Sequence, residues 1–171
     1  MVERAPLDRA EGRDGGMSEL WDWAVKAYAA EGVEEACLHL QDAAGQNVPL
    51  LLWAAWAART GRRPDADTLE AACDIARAWQ EAAIAPLRAV RRTLKGANPD
   101  LENADREAVR AQVKVVELEA ERRLLAALEA LSPPPESGPL PVLEALVAVA
   151  RRWSPMTPRA GLVQLAERLP A

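Results

Sequence analysis

The sequence has no phenylalanine, one tyrosine and one histidine among its 171 residues, and each shortage removes a class of answer. Strands favour aromatic and β-branched side chains, whereas this chain carries 36 alanines and 22 leucines, so an all-β fold is excluded. Long apolar runs are missing too: the longest, residues 48–58, is about half of what a bilayer crossing needs. No membrane span is expected. Residues 1–15 mix charges of both signs and contain no apolar stretch, so no secretory leader is read there and the cytoplasm is the expected compartment. The only two cysteines, Cys37 and Cys73, have no metal-type spacing and are expected as unpaired thiols inside helices. Positive charge is also scarce. A net charge of −5 argues against a general nucleic-acid coat, and 27% charged residues beside 50% apolar ones describe a globular chain with enough material for one core.

What is present reads as helices. Residues 1–17 are charged and glycine-rich without an apolar period, and are expected to form a disordered lead. Ser18 can cap a first helix, with Trp21, Ala24, Val25 and Tyr28 forming its stripe at i, i+3, i+4, i+7. Gly32 breaks that helix, and Val33, Ala36, Cys37 and Leu40 repeat the spacing in a second helix that Gly45 stops. Asn47 caps a third, VPLLLWAAWAA, which is apolar on every side and therefore expected at the centre. Asp67 with Glu70 reads as a capping box for a fourth helix, which Pro86 must kink or restart. Asn98 and Pro99 are expected to open a long helix ending near Leu131. Together these make an all-α bundle of about five helices over residues 18–131. A proline-rich spacer at 132–141 follows, then a helical hairpin at 142–171, weak in stripe and expected to dock as an appendage.

The sharpest chemical signal is PLRAVRRTLK, where Arg88, Arg91, Arg92 and Lys95 fall on one helix face with no acid among them. Four such charges need something anionic opposite. That can be a phosphate, an acidic partner or an anionic surface, which arginine suits by its forked donors. It can equally be internal, with Glu117, Glu119 and Glu121 of the long helix as counterions. The tryptophans of the first eighty residues are read first as core fillers in an alanine-rich interior, with Trp21, Trp53 and Trp56 as candidates to wall a cavity. The corner QDAAGQN, residues 41–47, offers Gln41 and Asp42 as a secondary polar surface, or simply caps helix ends. His39 and Cys37 are two residues apart and so lie on different sides of a helix, which gives no metal site. No P-loop, dinucleotide fingerprint or nucleophile elbow is present, and no cofactor or catalytic residue is expected.

The stretch from Leu20-Trp21 through the break at Tyr28 to Gly32, Ala36-Cys37-Leu38, Gln41-Asp42 with Gly45, the LLLW of the third helix and the arginine decapeptide resembles a proteobacterial family, domain of unknown function 2390. The resemblance covers residues 20–95. It implies a soluble helical bacterial protein with a divergent C-terminal region and carries over no activity, ligand or catalytic residue. The residues favour a non-enzymatic cytoplasmic interaction or regulatory module, holding an acidic protein partner or an anionic group on Arg88, Arg91, Arg92 and Lys95. Homo-oligomerisation stays open. The alternative is a small-molecule binding protein or small enzyme, with a Trp-lined cavity for an apolar tail and the arginines on a phosphate or carboxylate head. Exposure of the cations separates the two, and pairing with Glu117 or Glu121 weakens both.

Overall fold

The computed structural model describes residues 18–170, and the expected lead at 1–17 lies outside them. The described chain is all helical, in the order α1 (Glu19–Tyr28), α2 (Val33–Ala44), α3 (Val48–Arg59), α4 (Ala66–Trp79), a π turn (Gln80–Ile84), α5 (Ala85–Thr93), α6 (Asn103–Leu131), α7 (Val142–Trp153) and α8 (Arg159–Arg168). Among the described residues no helix is long and apolar enough to cross a membrane. Every position from Val48 to Ala58 of α3 is buried, so the helix with no polar face is indeed the axis of the bundle. Trp53 is fully enclosed there, and its indole N–H donates to Ser132 Oγ at 2.7 Å, which supplies the acceptor a buried indole requires.

Ser18, Asn47 and Gly45 act as the sequence suggests. Ser18 accepts from the Trp21 N–H, Asn47 from the Leu50 N–H, and Gly45 ends α2 at φ 61°. Two caps differ. Asp65, not Asp67, caps α4 by accepting from Thr68 N, because Asp65 is the residue still in extended conformation. The long helix begins at Asn103 with Glu102 as its cap, while Asn98 accepts from Asp100 N in a separate turn. Asn98 spends its acceptor within two residues, which closes a turn in place of starting a helix.

The C-terminal hairpin docks on the body and contributes to the same buried core. Leu146, Val149, Leu162 and Leu165 are fully buried in the same core as α3. Among the described helices, α7 packs most extensively against α3, and α8 packs on α2. The physical reason is α3 itself: an all-round apolar helix of alanines and leucines needs cover on every side, and α1, α2, α4 and α6 leave one side open. Residues 132–141 are non-helical and strapped to the end of α3, with Glu136 N donating to Gly61 O at 3.0 Å and Leu140 N to Ala58 O at 2.8 Å. Gly61 sits at φ 70°, and a β-carbon there would come within 1.9 Å of the Ser137 carbonyl.

Candidate binding cleft

Pro86 has no N–H and its ring crowds the carbonyl four residues earlier, so a regular helix cannot run through it. The chain accommodates Pro86 by widening the turn just before it, with Ala85 N donating to Gln80 O across five residues. One extra residue rotates everything downstream by about a quarter turn around the helix axis. The buried stripe of α4 therefore does not continue into α5, where no residue is buried. Instead α5 turns its arginines toward α6 on one side and toward the α2–α3 corner on the other.

Toward α6, Glu117 takes two of them. Arg88 Nε reaches Glu117 Oε1 at 2.9 Å, Arg91 Nε reaches Oε2 at 2.6 Å, and Arg88 Nη2 reaches Glu121 Oε1 at 3.2 Å. The Glu117 side chain is only 8% exposed. Burial opposes its ionisation, but the hydrogen bonds from Arg91 and Arg88 prevail and hold it below the usual carboxylate range. The Arg91 guanidinium is correspondingly driven up by the Glu117 hydrogen bond. Burial pushes Glu121 the other way, upward, because Arg88 offsets it only in part. Glu119 faces away and pairs with Arg122 and Arg123. Internal neutralisation thus accounts for Arg88 and Arg91. Lys95 lies exposed beyond the end of α5.

Toward the corner, Arg92 Nη2 meets Asp42 Oδ1 at 3.3 Å, with 62% and 56% of the two side chains exposed. This pair spans 50 residues of sequence, and both of its members line a cleft of about 410 Å³. That volume lies in the range of small-molecule sites. One wall is the α2–α3 corner with Gln41, Asp42, Gln46 and Asn47; the other is the π turn and α5 with Gln80, Arg88 and Arg92; Glu121 and Trp153 also border it. Asn47 Nδ2 donates to Gln80 Oε1 at 3.4 Å across the walls, and Trp153 Nε1 fixes the corner by donating to Gly45 O at 2.8 Å.

Gln46 is the unusual member. It is 3% exposed, and among the described residues its Nε2 and Oε1 both lack a hydrogen-bond partner. Each such buried group left unpaired costs roughly 1–3 kcal/mol.

The two surfaces that the sequence offered separately, Gln41 with Asp42 and Arg88 with Arg92, thus meet at one site. The three tryptophans are elsewhere. Trp56 is buried beneath Arg62 at 4.6 Å, Trp21 is stacked by Arg122 at 5.7 Å, and Trp53 borders a second groove of about 400 Å³ with Leu69 and Glu144. None of them lines the arginine cleft. Gln80 and Trp153 carry no local signal that ties them to the site; only Pro86 hinted that helix geometry changes near Gln80.

The family described as Protein of unknown function (DUF2390) matches residues 19–128. No curated protein and no solved structure matches the chain.

Proposed function

The chain belongs to the DUF2390 family, and we propose that it is a binding protein, holding a small charged molecule in the cleft between the α2–α3 corner and the π turn with α5. One observation carries this reading: a concave polar cleft is lined on opposite walls by Arg92 and Asp42, which are held together by a single 3.3 Å contact between two exposed groups. Such a pair is worth at most about 1 kcal/mol, so a ligand displaces it at little cost. All the lining residues except Trp153 fall within the matched region.

An extended acidic partner on the outer face of α5 has less to hold. Of the four cations in the decapeptide, Arg88 and Arg91 already satisfy Glu117 and Glu121, which leaves Arg92 and Lys95 for an outside group. The test is a thermal-shift series with small carboxylates, phosphates and amino acids on the wild-type chain and on Arg92→Ala. At least one compound should raise Tm by several degrees, and that rise should vanish in the variant. No rise with any compound, or an equal rise in Arg92→Ala, contradicts the proposal.

A further inference from the structure

The charge count at the cleft points past a simple anion. Its charged lining residues are Arg88 and Arg92 against Asp42 and Glu121, two cations and two carboxylates in a balanced cluster, with Arg92 paired to Asp42 and Arg88 to Glu121. A lone anion entering there would sit beside Asp42 and Glu121 with no spare positive charge in the cluster, and a lone cation would meet the opposite problem. A molecule carrying one charge of each sign leaves the balance unchanged. It also converts the one exposed Arg92–Asp42 contact into two ion pairs.

We propose that the cleft takes a zwitterion of the short-peptide class, with its carboxylate on Arg92, its ammonium on Asp42 and its amide matched to the free carboxamide of Gln46. This rests on the cleft being a ligand site at all. Two further features agree with it. The first turn of α3, opened by Asn47, borders the cleft and presents its positive dipole end to a carboxylate. Four carboxamides line the cleft beside the Arg92–Asp42 pair; those of Gln41, Asn47 and Gln80 already bond to Asp42, to the Leu50 N–H and to one another, which leaves the adjacent donor and acceptor of Gln46 to complement a peptide group. Both the donor and the acceptor of Gln46 are unmatched in the protein itself.

Glycylglycine is the probe, measured by calorimetry against N-acetylglycylglycine, which lacks the ammonium, and glycylglycinamide, which lacks the carboxylate. Glycylglycine should bind, and each blocked form should bind at least tenfold more weakly. Asp42→Asn, an exposed change that leaves the core alone, should abolish discrimination against the acetylated probe. Gln46→Leu should raise the Tm of the free protein while weakening glycylglycine about tenfold. Equal binding of all three peptides overturns the zwitterion. So does binding of inorganic phosphate or succinate without glycylglycine, and this result leaves the cleft standing as a ligand site. Failure of every probe overturns both proposals.

Discussion

Replacing Glu117 by glutamine tests the pairing that decides how many arginines the molecule has to spare. The substitution keeps the side chain's size and one acceptor but removes the charge that faces Arg88 at 2.9 Å and Arg91 at 2.6 Å. Breaking a fully buried pair costs about 3–5 kcal/mol, and a hydrogen bond to a charged group about 1.5–3 kcal/mol. Arg91 keeps 27% of its side chain open and glutamine still accepts one bond, so the expected loss is about 2 kcal/mol. For a chain of this length that corresponds to a fall in Tm of roughly 4–8 °C.

The pH dependence carries a sign. Glu117 is held below its ordinary value of 4.5, so its contribution is complete above that value and is lost as pH falls through the lower folded value. Glu121 is raised above 4.5 and opposes this, its contribution being complete below 4.5 and lost as pH rises through the folded value. The gap between wild type and Glu117→Gln should therefore narrow as pH falls from 7 toward 3, measured by urea unfolding at each pH. A stability within about 0.5 kcal/mol of wild type at pH 7, the range of an inert surface change, would refute the Glu117 pairing and return Arg91 to the decapeptide face as a free cation.

Gly61→Ala should destabilise by at least about 1–2 kcal/mol, the cost of a left-handed conformation for a residue with a β-carbon, plus the clash with the Ser137 carbonyl; circular dichroism melting checks it. Ending the chain at Leu131 removes α7 and α8 from the core and should abolish the cooperative thermal transition, whereas a sharp transition would mean that α3 finds other cover. Burial raises the Cys73 thiol and pushes the Cys37 thiol up to about 12, so both should resist Ellman's reagent in the native protein and react only on unfolding.

The bundle was legible because its signals are local. Ser18, Gly45 and Asn47 each act through bonds to residues within a few positions, and an eleven-residue apolar helix has no choice but the interior. Where two acids compete for one cap, as Asp65 and Asp67 do, backbone conformation decides, and spacing alone does not reveal it. The hairpin's place in the core depends on which side of α3 the other helices leave uncovered, a property of the whole packing. The site was legible in pieces. Gln41, Asp42, Arg88 and Arg92 stood out by type and spacing, but their meeting depends on a π turn that rotates α5 by a single residue and on Trp153 arriving from the far end of the chain. The internal partners Glu117 and Glu121 were also visible as candidates; helix phase then separates them from Glu119.

The most direct measurement is a nitrogen–proton NMR titration of the labelled chain with glycylglycine, reading where the shifts fall. Changes gathered at residues 41–50 and 80–92 and at the Trp153 indole are the predicted result. Changes centred on the groove beside Trp53, or spread along the outer side of α5 around Lys95 with the corner silent, would contradict the account.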